Sequence, residues 1–217
     1  VPTVVSPTHP SACQNPFEGT DDEALGEWAN LDGEYGATLR VEREKGNGYL
    51  MLVKPKRWGH LGAIARRTPY AAAQFPLITF DYLINHDVKM DVMVRRGGWQ
   101  LVPLSDDQSR ESRQFGRRPL VSFCGIQADG RWHSASLDLG AALAHAHPGG
   151  GDLRVDEVRF VNWDVSAYRR LSFGRTGTRG SFYCIDNFRI LGYGGPNASF
   201  EWTSEDENGI AGYRHPD

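Results

Sequence analysis

The chain has 217 residues, 40% of them hydrophobic and 11% aromatic, which suits one ordinary globular domain or a domain plus part of another and argues against disorder. Its formal charge of −3 is unevenly spread: residues 1–44 carry nine acids and two bases, residues 45–200 thirteen acids and 21 bases, and residues 201–217 five acids and one base. That balance argues against a nucleic-acid partner, no run of about 20 apolar residues exists to span a membrane, and twenty Arg against four Lys favour bidentate contacts to an anionic or hydroxyl-rich partner.

Short stretches rich in Val, Ile, Phe, Tyr and Trp recur about every 10 to 15 residues between Gly, Pro, Asn and Asp clusters, the texture of an all-β chain. The pattern predicts strands over 38–42, 49–54, 61–66, 77–84, 88–95, 99–104, 120–124, 132–139, 155–163 and 182–191. So many strands predict an antiparallel β-sandwich, because a single open sheet would leave one apolar face wet. Within 88–95, Val88, Met90, Val92 and Val94 alternate with Lys89, Asp91 and Arg95, which predicts one face on the core and one in water. Residues 105–119, with Arg110, Arg113, Arg117 and Arg118, are too polar for a strand and read as a surface loop. The Ala-rich stretch 139–147 predicts a helix, stopped by Pro148 and three glycines. After residue 191 the composition becomes that of a linker, so we expect one module over 14–193 and a linker with the stub of another over 194–217. Cys13, Cys124 and Cys184 have no metal-binding spacing; one disulfide plus a free thiol, or buried reduced thiols, both remain open.

The most informative stretch is FYCIDNFRI over 182–190, where simple alternation puts Asp186 on one side with Phe182, Cys184, Phe188 and Ile190. A carboxylate on an apolar face must be neutralised, paired with a base or bound to a metal. Near the other end, Phe17 and Glu18 are followed by Asp21 and Asp22. Terminal strands of sandwiches often lie side by side, so Glu18 and Asp186 are placed to meet around a hard cation such as Ca2+, with backbone carbonyls completing a shell of about six to eight oxygens. The alternative for Asp186 is an arginine salt bridge or a role in a strand-end turn.

For catalysis the residue types are present without a pattern. Asp156 and Glu157 are adjacent, so on a strand they face opposite ways and do not make a glycosidase pair. His60, His86, His133, Tyr168, Arg169 and Arg170 supply the groups of a polysaccharide lyase but no signature, and His145 and His147 diverge on a short helix. Binding by aromatics suits six Trp and eight Tyr better. Trp28, Trp132 and Trp202 read as framework or tail. Trp58, flanked by bases, glycine and His60, is the first stacking candidate. Trp99 follows two glycines and either contacts ligand or plugs the core. Trp163 shares a strand side with Arg159 and Val161, and with Tyr168 and Arg169 beyond it could line a concave face. The candidate ligand contacts are therefore Trp58, His60, Trp99, Arg159, Trp163, Tyr168 and Arg169.

Together, the early Phe17-Glu18, the stretch DGRWHSASLDL over 129–139 and FYCIDNFRI resemble the jelly-roll sandwiches of the galactose-binding-like group, over about residues 14–193. That group includes carbohydrate-binding modules of secreted bacterial glycoside-degrading proteins. The resemblance implies a noncatalytic jelly roll that binds a polysaccharide or oligosaccharide, acidic ones included, in an extracellular, secreted or cell-surface protein with other domains on the same polypeptide. It also implies a structural calcium ion at Glu18 and Asp186, with Asp22 as a further ligand. The tail, with Phe200-Glu201-Trp202, Asp206 and GIAGY over 209–213, resembles the opening of a fibronectin type III or immunoglobulin-like module. The alternatives are an adhesin-type interaction domain without a sugar site, and a lyase or glycosidase domain.

Overall fold

The computed structural model describes residues 10–31, 36–54, 60–105, 120, 125–149, 153–162, 179–193, 201–203 and 212–214. Among these, β1 (Ser11–Asn15), β3 (Thr38–Glu44), β4 (Asn47–Val53), β7 (Leu77–Ile84), β10 (Trp132–Asp138) and β13 (Phe182–Leu191) form a six-stranded antiparallel sheet. Its order is β10-β7-β13-β4-β3, with β1 also paired to β13. A five-stranded antiparallel sheet runs β2 (Ala29–Asn30), β5 (Ala63–Arg66), β12 (Glu157–Val161), β8 (Asp91–Arg96) and β9 (Gly98–Val102). Two short pairs accompany them: β6 (Tyr70–Ala71) with β11 (Arg154–Val155), and β14 (Glu201–Thr203) with β15 (Gly212–Arg214). The chain passes repeatedly from one large sheet to the other, giving the all-β jelly-roll sandwich that the sequence predicts.

The sheets close on an aromatic core. Trp28 meets Phe17 at 5.6 Å, Phe160 at 5.5 Å and Phe188 at 5.3 Å between ring centroids, and Phe160 meets Phe80 edge to face at 4.9 Å. Alternation supplies the rest: Leu50 and Leu52 of β4, Ile78, Phe80, Tyr82 and Ile84 of β7, and Tyr183 and Ile185 of β13 are buried with Val92, Val94, Val158 and Phe160 of the other sheet. The framework role expected of Trp28 is the one it has. Lys45 and Gly46, both at positive φ (53° and 86°), make the two-residue turn between β3 and β4, the backbone twist that tight hairpins prefer.

The predicted strands 77–84 and 182–191 coincide with β7 and β13. The helix expected over 139–147 is α2 (Leu139–Ala146); Asp138 caps it by accepting the Ala141 N–H at 2.8 Å, while Tyr193 donates its hydroxyl to the other carboxylate oxygen at 2.5 Å. Strands β1, β2 and β6 and the helix α1 (Asp21–Leu25) were not foreseen, being too short to show a period. Asp91 departs from the solvent-facing position that alternation predicts. It is fully buried, and its carboxylate accepts the N–H of Leu104 at 2.9 Å and of Ser105 at 3.4 Å, tying β8 to the chain after β9. The loop arginines 110, 113, 117 and 118, Cys124 and most of the strand predicted over 120–124 lie outside the described residues. Cys13 and Cys184 are free thiols.

The largest departure from simple alternation is in β13. Asn187 has φ 49°, and the register against β7 slips between Asp186 and Arg189. One extra residue reverses the phase of the strand, so that Phe188 and Ile190 join Tyr183 and Ile185 in the core while Cys184 and Asp186 lie on the outer side. Asp186 thus does not share a face with Phe188 and Ile190. The bulge is held by the Asn187 N–H donating to Asp186 Oδ1 at 2.6 Å and its Nδ2 donating to Asp81 Oδ2 at 2.8 Å.

Candidate functional site

On the outer face of the five-stranded sheet, alternate residues of three adjacent strands fall together: Glu157, Arg159 and Val161 from β12, Met93 and Arg95 from β8, and Trp99 and Leu101 from β9. Arg95 is opposite both Glu157 and Trp99, and Met93 is opposite both Arg159 and Leu101. Met93, Leu101 and Val161 form an apolar cluster separate from the main core, with Leu31 and Trp99 packed on it. Above this floor the Arg159 guanidinium carbon stands 3.9 Å from the Trp99 ring centroid, and that of Arg95 stands 5.7 Å away. Glu157, buried, accepts from Arg159 Nε and lies 3.4 Å from Arg95 Nη2.

The chemistry of this arrangement is that of recognition. A buried carboxylate shared by two arginines fixes the orientation of both guanidiniums, and the Arg159–Trp99 stack adds about 0.5–2 kcal/mol. The face presents planar guanidinium donors beside an indole that Arg159 partly covers, on an apolar floor, a mixture of polar and flat apolar groups suited to a ring that carries both C–H and hydroxyl groups. Glu157 is committed to its arginines, and its neighbour Asp156 pairs with Arg154 at 3.0 Å. The two carboxylates are engaged by different arginines, Asp156 by Arg154 and Glu157 by Arg159 and Arg95.

Of the candidate ligand contacts, Trp99 and Arg159 are brought together. His60 is half-buried next to Leu61, whose N–H donates to Asn162 Oδ1 at 3.1 Å; this puts it beyond the Val161 end of β12, away from the Glu157 end where Trp99 lies. Trp58, Trp163, Tyr168 and Arg169 lie outside the described residues. Sequence reasoning passed over Arg95 and Glu157. The signal was present in the alternation of Glu157 with Arg159, but the partner strand could not be known without the register. Trp132, expected as framework, is instead 40% exposed on the other sheet.

The carboxylates expected to meet, Glu18 and Asp186, each bond the start of β4. The Asn15 side chain accepts the Phe17 N–H at 2.9 Å and donates to the Leu25 carbonyl at 3.2 Å, holding Phe17 at φ 56°. The Phe17 carbonyl is thereby pressed onto Gly48, where a Cβ would stand 2.2 Å from it, so only glycine admits the crossing. Glu18 Oε1 accepts the Gly48 N–H at 3.1 Å, and the neighbouring Asn47 Nδ2 donates to Asp186 Oδ2 at 2.8 Å. Burial pushes the Asp186 carboxyl above its usual range, the Asn47 and Asn187 hydrogen bonds oppose this, and the charges of Asp81 and Glu18 add to the rise. No group of three or more His, Cys, Asp or Glu in metal-holding arrangement occurs among the described residues, and the Asp22 side chain lies outside them. Glu18 and Asp186 thus bond neighbouring residues at the start of β4, and both are carboxylates, the donor type that hard cations such as Ca2+ take.

No protein-family model and no curated protein matches the chain. Among solved structures it is similar to the family 11 carbohydrate-binding module of the cellulosomal cellulase Lic26A-Cel5E of Clostridium thermocellum, with TM-score 0.46 and 12% identity, over 85% of this chain and 94% of that one. It is also similar to the N-terminal CBM22-1-CBM22-2 tandem domain of Paenibacillus barcinonensis Xyn10C, with TM-score 0.46 and 10% identity, over 89% of this chain and 52% of that one. A third likeness is to an exo-beta-agarase, with TM-score 0.41 and 16% identity, over 94% of this chain and 26% of that one. These likenesses concern the course of the chain and carry no site residue across.

Proposed function

We propose that the chain is a noncatalytic carbohydrate-binding module whose ligand lies on the outer face of the five-stranded sheet. The observation that carries this reading is the Trp99 indole stacked with Arg159 over an apolar floor, with Glu157 fixing Arg159 and Arg95. Indole and guanidinium together match a hydroxyl-rich ring, and two arginines on one face accommodate acidic as well as neutral glycans. The further parts of the proposal are a structural calcium ion at Glu18 and Asp186, an extracellular setting, and a C-terminal tail that opens another module of the same polypeptide.

Affinity electrophoresis through gels containing neutral and acidic polysaccharides tests the reading. The chain is expected to be retarded by at least one of them and to release no reducing or unsaturated ends. Migration unchanged in every gel would leave an interaction domain without a sugar site, and product release would make it an enzyme.

A further inference from the structure

On the other side of the sandwich, β10 forms one edge of the six-stranded sheet, and its outward residues Trp132, Ser134 and Ser136 are all exposed, about 7 Å apart along the strand. Trp132 is the large hydrophobic side chain most open to solvent among the described residues. It meets Tyr49 of β4 edge to face at 5.4 Å, so the two rings form a corner that reaches across β7 and β13. Beneath the corner the register lines up Trp132 with Leu83, Leu83 with Cys184 and Cys184 with Met51, an apolar floor one residue deep. The next rows are polar: the Ser134 hydroxyl donates to Asp81 Oδ1 at 2.5 Å, while Ser136 lies opposite Thr79, which lies opposite Arg189.

We propose that this corner is a second carbohydrate site, in which Trp132 stacks on one sugar ring, Tyr49 walls it, and Ser134, Ser136, Asp81 and Arg189 bond its hydroxyls and those of the next ring. The inference rests on the carbohydrate reading for its ligand class, but on different residues and the opposite sheet. One exposed indole beside a row of hydroxyls is too small for the apolar centre of a protein interface, which takes about 800 Å² per partner. A pyranose needs only one aromatic face and a few hydrogen-bonding groups. The carboxylates around this face, Asp81 under Ser134, Asp186 near it and Glu42 near Tyr49, repel an acidic chain, so the ligand is a neutral glycan, in contrast to the arginine-lined face around Trp99.

The test uses the whole chain with xylan, mixed-linkage β-glucan and agarose, comparing the parent with Trp132→Ala, Trp132→Phe, Trp99→Ala and the double alanine variant. Trp132→Ala is expected to weaken retention about tenfold, Trp132→Phe to restore most of it, and the double variant to lose what either single variant keeps. Hydroxyl-radical footprinting of the parent gives an independent reading that needs no variant to fold: oxidation of Trp132 is expected to fall when the polysaccharide is added. If Trp132→Ala binds like the parent and Trp132 oxidises equally with and without glycan, while Trp99→Ala has lost binding, the second site is wrong and the first stands. Retention of the parent by none of the three overturns the second site together with the functional reading for these glycans.

Discussion

Replacing Trp28 by alanine is expected to cost about 3–5 kcal/mol of folding stability and to lower the thermal midpoint by about 10 °C or more. The size follows from where the side chain sits. Trp28 enters just before β2 and touches Phe17 from the N-terminal segment, Phe160 from the five-stranded sheet and Phe188 from the six-stranded one, so its removal opens a cavity between layers that are each held by their own hydrogen bonds. The sheets cannot collapse into that space without breaking register, which places the cost at the upper end for aromatic truncation. Trp28 Nε1 is buried without a hydrogen-bond partner among the described residues. Trp28→Phe therefore keeps much of the ring contact, sheds an unsatisfied donor, and should cost less than half as much. Urea unfolding of the two variants checks both statements. An alanine variant within about 1 kcal/mol of the parent would show that Trp28 does not join the sheets.

The second large effect concerns the carboxylate seam. Calcium at a hundredfold excess over its dissociation constant is expected to stabilise the parent by about 2.7 kcal/mol and to leave Asp186→Asn unmoved. The ranking in EDTA is the reverse, and the sign follows from the raised pKa of Asp186. A folded-state pKa above the unfolded value of about 3.9 means that the fold holds the proton more tightly than the unfolded chain does. The favourable contribution is therefore complete below the unfolded pKa and is lost as pH rises through the folded one. At neutral pH without a cation, ionised Asp186 beside Asp81 and Glu18 is a cost, which Asp186→Asn removes while its amide oxygen keeps the Asn187 N–H and Asn47 turns its own amide to accept from the new NH2. Thermal melts of parent and variant in EDTA and in calcium give four midpoints. If the parent melts identically in both buffers, no stabilising cation binds at the seam.

Period two was legible where a strand alternates between a covered and a more open face, as in β7, and there the predicted ends coincide with those observed. It misled where a strand served two purposes. Asp91 looked like a solvent residue because its role, receiving the backbone of Leu104 and Ser105, lies outside its own strand. Asp186 looked core-facing because the bulge at Asn187 leaves no mark in hydrophobicity; only an Asn adopting a left-handed conformation betrays it, and Asn is common in ordinary strands too. The pairing of Trp99 with Arg159 was beyond sequence for another reason. Both residues were singled out, but what joins them is the registration of β9 on β8 and β8 on β12, a long-range property that composition and spacing do not encode. Trp132 fails differently: its neighbours in the chain alternate like those of a packed strand, and its place on the outward side of β10 leaves the indole open.

The central claim is that the Trp99–Arg159 face holds a glycan, and calorimetric titration of Trp99→Ala and Arg159→Ala with a polysaccharide that retards the parent tests it most directly. The account predicts at least about a tenfold loss of affinity in each variant, titrated below its own thermal midpoint because Arg159→Ala leaves the buried Glu157 with Arg95 alone and melts below the parent. Parent-like affinity in both folded variants would contradict it.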